Sequence, residues 1–144
     1  MNPLASWQFW ALSSAVFAAL TAILAKVGIE GVNSDFATFI RTVVILVAAG
    51  AMVLITNHWQ APSTVSSKTW TFLVLSGLAT GFSWICYFRA LKVGQASQVA
   101  PIDKLSVVLV AIIAAVFLGE KLSPVNWIGV ALIGMGAVLV AVQI

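Results

Sequence analysis

Four ionisable residues lie inside long apolar stretches of this chain, and their chemistry is that of binding a ligand rather than of breaking a bond. They are Arg41, Arg89, Asp103 and Lys104. If these stretches cross a membrane, a charge at the centre of one costs roughly 2.5–3.5 kcal/mol, so a charge there indicates a functional site. Because cations outnumber carboxylates in this set, it favours a bound anion or a carboxylate-bearing metabolite.

The depth of each cation separates a site residue from one that only reaches the headgroups. At 1.5 Å per helical residue, Arg41 lies about 9 Å into the second apolar stretch and Lys104 about 12 Å into the fourth. For these two, a polar site is favoured. Arg89 lies nearer the end of the third stretch, as do Lys26 and Lys92 near the ends of theirs. For these three, snorkelling or helix-end pairing is favoured, although Arg89 remains a candidate to line or brace the site.

Asp103 is the carboxylate that lies well inside an apolar stretch, and its short side chain cannot reach far toward water. One role is a salt bridge to Arg89 or Arg41 that holds helices in register. The other is proton coupling or the binding of a cationic group. The salt bridge is favoured, because nearby cations keep a carboxylate ionised.

Pro101 precedes Asp103 and Lys104 and predicts a break in the fourth helix. If the helix begins near Ala96, the proline removes a backbone hydrogen bond and kinks it. If it begins near Ala100, residues 95–99 form a non-helical entry. Interrupted helices of transporters often line a substrate site, and a helix start without a ligand is the alternative.

Aromatic and small residues add two further features. Trp84 and Tyr87 are three residues apart and share a helix face; they line a cavity or, as is somewhat favoured, pack between helices. Small-residue faces predict close helix packing within the chain or between two chains. These faces are formed by Gly77 with Gly81 and by Gly129 with Gly136.

The elements that position these residues follow from composition. Of the 144 residues, 62% are hydrophobic and 8% are charged, whereas a soluble domain carries about 25% charged residues. Five stretches are long enough to cross a bilayer as helices and lack the alternation of barrel strands. The sequence therefore predicts one all-α membrane domain over residues 1–144, with helices at about 7–27, 35–55, 68–93, 96–118 and 124–144.

Local signals predict how these helices begin and end. Ser34 or Asp35 is expected to cap the second helix, and Ser123 followed by Pro124 is typical of a capped helix start. Gly28, Gly94 and Gly119 are expected to end helices in the left-handed conformation.

Charge and tryptophan placement predict the topology. The N-terminal segment lacks the basic stretch of a cleaved signal, so the first helix is expected to be retained. With five spans, most lysines and arginines fall on the side of the C-terminus and most tryptophans on the other, which favours an outside N-terminus and an inside C-terminus. If Arg41, Arg89 and Lys104 serve a site, the remaining lysines divide evenly between the sides. An even division permits insertion in both orientations.

Several function classes are disfavoured. The net charge of +3 comes from scattered residues, and nucleic-acid binding needs a clustered basic face. We find no spacing typical of a metal cluster, a nucleophile elbow or a phosphate loop. The sequence therefore predicts neither an enzyme, nor a metal site, nor a cofactor.

Several short motifs together give the chain a family resemblance. It resembles a single five-helix EamA-type repeat of the drug/metabolite transporter superfamily, in its short bacterial subgroup. The motifs are Lys26-Val27-Gly28, Phe39-Ile40-Arg41, Tyr87-Phe88-Arg89-Ala90-Leu91, Ala100-Pro101, Gly119-Glu120-Lys121, and Trp127-Ile128-Gly129 continuing to Gly136.

The resemblance implies transport of small metabolites across the bacterial inner membrane by alternating access. Full-length relatives carry two such repeats, inverted relative to one another. One repeat would need a partner, most simply a second copy in the opposite orientation, which makes an antiparallel homodimer. Two alternatives remain open: a flippase for a lipid or lipid-linked sugar, and a non-transporting membrane assembly subunit.

The last helix is also similar to the dimerising helix of small multidrug resistance proteins. Those proteins carry a glutamate inside the first span, whereas Trp7 to Lys26 contains no acidic residue. This difference counts against multidrug–proton antiport of that type.

Overall fold

The computed structural model describes residues 6–142, and within that range it is helical with no strand. Residues 6–142 contain six α-helices and one short 3₁₀ turn at Pro62–Thr64. The helices are α1 (Trp7–Gly28), α2 (Ser34–Ile55), α3 (Ser67–Val93), α4 (Ala96–Asp103), α5 (Ser106–Phe117) and α6 (Pro124–Ala141). The predicted all-α class is confirmed.

Five helical segments in residues 6–142 are long and apolar enough to cross a membrane. Four of these segments are single helices. The remaining one, which is the fourth along the chain, combines α4 and α5 over Ala96–Phe117. A segment of 22 residues, such as α1 or α2, extends about 33 Å, which covers a hydrocarbon core of about 30 Å. The first three predicted helices agree with the structure to within one residue at each end.

The fourth and fifth predicted helices need correction. Instead of one helix over 96–118, the structure has α4 and α5, separated by a turn at Lys104 and Leu105. The last helix, predicted to run from 124 to 144, ends at Ala141 with an extended cap at Val142. Residues 143 and 144 lie outside the described residues.

The turn in the fourth span follows Pro101 rather than preceding it. The helix begins at Ala96, as in the first of the two alternatives, and continues through the proline. Proline cannot donate to the carbonyl four residues back and its ring displaces that carbonyl. The next backbone bonds tighten to i→i−3: Lys104 N–H lies 3.0 Å from the Pro101 carbonyl oxygen, and Leu105 N–H lies 3.0 Å from that of Ile102. Such 3₁₀ turns inside a span mark a hinge or a strained sequence.

Helix caps agree with the sequence in part. The Ser123 hydroxyl accepts from Asn126 N–H at 3.2 Å, with Pro124 at the first helical position, as predicted. At α2 the cap is Asn33 instead of Ser34 or Asp35, because its Oδ1 accepts from the Asp35 and Phe36 backbone N–H groups. An amide side chain satisfies these first free donors as a hydroxyl would.

Of the three glycines predicted to end helices in the left-handed conformation, one does so. Gly119 has the predicted left-handed conformation, with φ of 68°. Gly28 and Gly94 do not, since in residues 6–142 the left-handed glycines are Gly31 and Gly119. Helix α1 therefore continues through Gly28, and Gly31 makes the turn toward α2.

The chain divides into two compact units. The first contains residues up to Lys26 together with α4, α5 and α6, and the second is Val27–Lys92, which contains α2 and α3. In the first unit α6 packs against both α4 and α5. Most apolar side chains of every span point outward, as expected where lipid is the solvent, and most of the buried core residues are alanines. Small buried residues let membrane helices approach closely.

Two lysines at helix ends donate to backbone carbonyls. Lys92 Nζ lies 2.9 Å from the carbonyl oxygen of Ile29 and 2.7 Å from that of Val32, in the turn after α1. Lys26 Nζ lies 2.8 Å from the carbonyl oxygen of Gly94. Both lysines thus satisfy backbone acceptors beside helix ends, so the favoured interpretation of helix-end pairing is confirmed for them.

We expect the Lys92→Met variant to lower the free energy of unfolding by about 1 kcal/mol, a typical net contribution of hydrogen bonding to stability. Methionine keeps an apolar stem of similar length but cannot donate to the carbonyls of Ile29 and Val32. The measurement is reversible unfolding of the purified protein in mixed micelles with increasing dodecyl sulfate.

Lys68→Met is the matched control. Lys68 is the second residue of α3, where the helix dipole disfavours a positive charge, so its loss should leave stability unchanged or slightly higher. Equal stability of the Lys92 variant and the wild type would show that these hydrogen bonds do not contribute.

Candidate functional site

Arg41 lies against two aromatic rings of α3. Its guanidinium carbon is 5.3 Å from the ring centroid of Trp84 and 4.8 Å from that of Phe88. Trp84 and Phe88 are four residues apart, so they stand on one face of α3. Both distances fall within the range of about 6 Å in which a ring attracts a cation. Two of the predicted substrate-binding residues, Arg41 and Trp84, are therefore in contact within the second unit; that they bind a substrate stays a prediction.

One of the two rings that contact Arg41, that of Phe88, is buried. Phe88 is 2% exposed, and the ring of Tyr87 meets it edge-on with centroids 6.4 Å apart. A guanidinium presents its N–H groups in the plane of the group and its faces above and below. Contact with two rings restricts where the Arg41 guanidinium can lie, and neither of the ion pairs found in residues 6–142 involves it.

Phe88 was not among the residues predicted for the site. It lies within the motif Tyr87-Phe88-Arg89, and no sequence pattern separates it from other apolar residues. The usable signal is the four-residue spacing from Trp84, which places both rings on one helix face.

Arg89 makes a two-pronged ion pair with Asp35 within the same unit. Arg89 Nε lies 2.9 Å from Oδ1 and Nη2 lies 2.7 Å from Oδ2 of Asp35. This fork geometry is the strong form of the arginine–carboxylate contact. Both side chains are about half exposed or more, so the pair ties the start of α2 to the end of α3 at an accessible position. Helix-end pairing, the favoured role for Arg89, is confirmed.

Asp103 and Lys104 form the second ion pair of residues 6–142. Lys104 Nζ lies 3.3 Å from Asp103 Oδ2, at the end of α4 where the span is interrupted. This pairing differs from the one favoured by the sequence, in which Asp103 bonds Arg89 or Arg41. An adjacent lysine needs no second helix to reach the carboxylate, so proximity in the chain decides the partner.

The contact between α5 and α6 gives Lys104 a level relative to α6. Val108 of α5 lies opposite Gly134 of α6, since a Cβ placed on Gly134 would be 3.3 Å from Val108 Cγ2. Lys104 precedes Val108 by four residues, and α6 extends seven residues beyond Gly134 to Ala141. Counted along these helices, Lys104 is about 5 Å from the end of α6; its depth in the membrane stays a prediction.

The six predicted substrate-binding residues thus fall into two sets. Arg41, Trp84, Tyr87 and Arg89 belong to the unit formed by residues 27–92, whereas Asp103 and Lys104 belong to the other unit, with Pro101. In the first set, Arg41 and Tyr87 contact the ring of Phe88. Arg41 also contacts Trp84, and Arg89 pairs with Asp35. That both sets serve one substrate stays a prediction.

The four glycines predicted for helix packing have open space around them. A Cβ added at Gly77, Gly81, Gly129 or Gly136 would meet nothing within 4 Å. Close packing inside the chain therefore does not require glycine at these positions; it occurs instead at Gly134. Contact between two chains is the role left for them, and it stays a prediction.

In the described part of the chain, no group of three or more His, Cys, Asp and Glu side chains could hold a metal ion.

Three proteins with similar sequences give the chain a wider context. A Sinorhizobium sp. protein named "uncharacterized transporter in cobO 3'region" is 64% identical over 137 residues, covering 95% of this chain and 97% of that protein. The uncharacterized transporter YxxF of Bacillus subtilis (strain 168) is 26% identical over 136 residues, which are 93% of this chain and 42% of that protein.

The third relative is named a probable 4-amino-4-deoxy-L-arabinose-phosphoundecaprenol flippase subunit, ArnE, of Proteus mirabilis (strain HI4320). It is 27% identical over 86 residues, which cover 59% of this chain and 76% of that protein. No solved structure matches the chain significantly.

The family assignment rests on nearly the whole sequence. Residues 5–142 match the EamA-like transporter family, and the five apolar helices have the lengths that a multi-pass membrane protein requires. With these helices and this match, the chain belongs to the EamA-like transporter family.

Proposed function

We propose that this protein transports small carboxylate-bearing metabolites across the bacterial inner membrane by alternating access, as a homodimer in which Arg41 binds the carboxylate. The observation that carries the proposal is the guanidinium of Arg41, which lies over Trp84 and Phe88 inside a membrane-spanning segment. In residues 6–142 the ion pairs are formed by Arg89 with Asp35 and by Lys104 with Asp103, so neither of these carboxylates is bound to Arg41.

The guanidinium groups of the two arginines in the second unit have different partners. Arg89 already holds a carboxylate of the protein in a fork. Arg41 is supported by aromatic faces, which supply attraction without using its N–H donors. A substrate carboxylate can therefore form with Arg41 the fork that Asp35 forms with Arg89. Trp84 and Tyr87 would form the wall beside this carboxylate.

The interrupted fourth span supplies the second part of the proposed path. The turn at Lys104 and Leu105 places a backbone without regular helical bonding beside the Asp103–Lys104 pair. Transporter sites are commonly built at such interruptions. In the proposal, Asp103 and Lys104 line the path, and the turn after Pro101 provides the local change in backbone that alternating access needs.

The homodimer is supported by length and by exposed glycines. The chain spans less than half of YxxF, which leaves room in that relative for a second repeat. Gly129 and Gly136 have open space beside them, as a helix face would if a second chain packed there. Lysines on both sides of the predicted topology, Lys26 and Lys92 against Lys68 and Lys121, suit a chain that inserts both ways.

A flippase for a lipid or lipid-linked sugar is the second candidate function. The name of ArnE, a probable flippase subunit, is the observation that favours it. The two candidates differ in the size and polarity of what moves, so the same purified protein distinguishes them. Flux of soluble carboxylates supports the first, and movement of a labelled lipid between leaflets without such flux supports the second.

We expect the Arg41→Gln variant to reduce uptake of any transported carboxylate at least about tenfold, because it removes a charge-assisted fork. Arg41→Lys should recover only part of the activity, since an ammonium group is a point charge without the planar fork. Uptake of labelled mono- and dicarboxylates into proteoliposomes is the measurement.

The matched control is Lys68→Gln, which makes the same charge change at the start of α3 and should keep uptake within about twofold, since exposed charges contribute little. Full carboxylate flux in the Arg41→Gln variant would contradict the site assignment. Flux of cations alone in the wild type would contradict the substrate class.

We expect Phe88→Leu to raise the KM for the transported carboxylate about threefold, with a smaller effect on the maximal rate, because a cation–π contact contributes on the order of 0.5–1 kcal/mol. Leucine remains apolar but lacks the ring face under Arg41. Phe82→Leu is the control, since Phe82 is on the same helix and 68% exposed. Equal KM values for the two variants would show that Phe88 only fills space.

We expect both orientations of the chain in the membrane. The experiment places a cysteine at Ser63, in the loop between α2 and α3, after the exposed Cys86 is replaced by serine. An impermeant maleimide added to intact spheroplasts should label about half of the molecules if insertion is evenly divided, and the remainder after permeabilisation. Labelling of all or none of the molecules would exclude the antiparallel homodimer while leaving a parallel one to be tested by crosslinking.

A further inference from the structure

Two contacts join α2 to α3 at neighbouring levels of the second unit. At the start of α2, Asp35 binds Arg89 in a fork, with nitrogen–oxygen distances of 2.9 Å and 2.7 Å. Further along α2, the guanidinium carbon of Arg41 lies 5.3 Å from the ring centroid of Trp84 and 4.8 Å from that of Phe88. An ion pair and a cation–π contact thus link the same two short helical segments.

Both of these segments are regular helix without a hinge. Residues 35–41 of α2 and 84–89 of α3 contain neither proline nor glycine and lie inside uninterrupted helices. At 1.5 Å per residue, Arg41 lies about 9 Å along α2 from Asp35. Because no bend between the two contacts can absorb a displacement, a shift of Asp35 relative to Arg89 moves Arg41 relative to its rings as well.

The two helices are packed at this end and uncovered at the other. Phe88 and Leu91 of α3 are buried, as is Ile29 in the turn that precedes α2. By contrast, every residue of α2 from 42 to 52 and every residue of α3 from 67 to 80 is exposed. The alignment of α2 with α3 is therefore decided at the end that carries the fork.

The fork supplies geometry more than stability. The side chains of Arg89 and Asp35 are 62% and 48% exposed, and exposed ion pairs contribute little to the free energy of folding. A fork nevertheless needs two parallel N–H···O hydrogen bonds, so it accepts a narrow range of relative positions of the two groups. A contact that is specific in geometry and weak in energy is suited to aligning two helices.

We propose that the Asp35–Arg89 fork positions Arg41 for transport, by aligning α2 with α3 so that the guanidinium lies over its two rings. This inference rests on the proposed carboxylate site at Arg41, and it gives Arg89 a role in aligning that site rather than in binding the substrate. The fork acts on the substrate only through Arg41. Its loss therefore weakens binding of the carboxylate and leaves the steps after binding largely unchanged.

Two variants remove the fork in different ways. Asp35→Asn removes the charge at nearly constant size, whereas Arg89→Lys keeps the charge as a point charge without the planar fork. Alignment can improve binding by no more than the free energy with which the pair favours the aligned arrangement. For an exposed pair we expect Asp35→Asn to raise the KM for the transported carboxylate about three- to fivefold, and Arg89→Lys at least about twofold, with maximal rates close to that of the wild type.

The matched control is Glu30→Gln, measured in the same proteoliposome uptake assay. Glu30 is an exposed residue of the turn between α1 and α2, and the two ion pairs of residues 6–142 do not include it. This variant makes the same charge change as Asp35→Asn without touching the fork. Its KM should equal that of the wild type.

A double-mutant cycle with Arg41→Gln shows whether the fork acts through Arg41. Initial uptake is measured at carboxylate concentrations well below KM for the wild type, the two single variants and the double variant. Once residue 41 is glutamine, Asp35→Asn should change the rate less than about twofold, because residues that act through one another are not additive. Fully additive losses would show that the fork affects transport by another route.

A spectroscopic measurement tests the alignment without any substrate. The contribution of Trp84 to the near-ultraviolet circular dichroism is the difference between a protein and its Trp84→Phe variant. We expect Asp35→Asn to change this contribution to the value found with Arg41→Gln, because both variants take the guanidinium away from the indole ring. Glu30→Gln should leave it at the wild-type value.

Three results would overturn the proposal: a wild-type KM in either fork variant, additivity in the cycle, or an unchanged Trp84 signal in Asp35→Asn. Unchanged uptake in Arg41→Gln would instead contradict the carboxylate site, and the Trp84 signal would still test the alignment. Unfolding in mixed micelles, recorded for each variant, separates these outcomes from misfolding. If Asp35→Asn does not fold, Arg89→Lys, which retains both charges, supplies the same comparisons.

Discussion

An ionised side chain in hydrocarbon must find a compensating group, and this constraint governs where the cations of this protein lie. Lys26 and Lys92 donate to backbone carbonyls at helix ends. Arg89 forms a fork with Asp35, and Lys104 pairs with Asp103. Arg41 is stabilised by the faces of Trp84 and Phe88. The first arrangements use the N–H donors of the cation, whereas neither ion pair of residues 6–142 involves Arg41. For this reason the carboxylate site is proposed at Arg41.

The interruption of the fourth span follows from the same shortage of polar partners. Lipid offers no hydrogen bonds to a freed backbone, so the chain after Pro101 tightens into i→i−3 turns instead of opening. The Asp103–Lys104 pair stands at this turn, which brings charge and irregular backbone together near the end of α6.

Local features were the ones that could be predicted. The existence of five spans and the boundaries of the first three depend on hydropathy and length, and the cap at Ser123 depends on neighbouring residues. Pro101 predicted an interruption, but its position at Lys104 and Leu105 depends on how the following carbonyls find donors.

What the sequence determined by itself is the class of the molecule: an all-α membrane protein with too few charged residues for a water-soluble fold. Only the tertiary structure decided which partner each charge has. Asp35 rather than Asp103 pairs with Arg89, and the unpredicted Phe88 supports Arg41. The physical reason is distance. Hydropathy and spacing act along the chain, but an ion pair or a cation–π contact requires atoms within a few ångströms, and these are brought together only when helices pack.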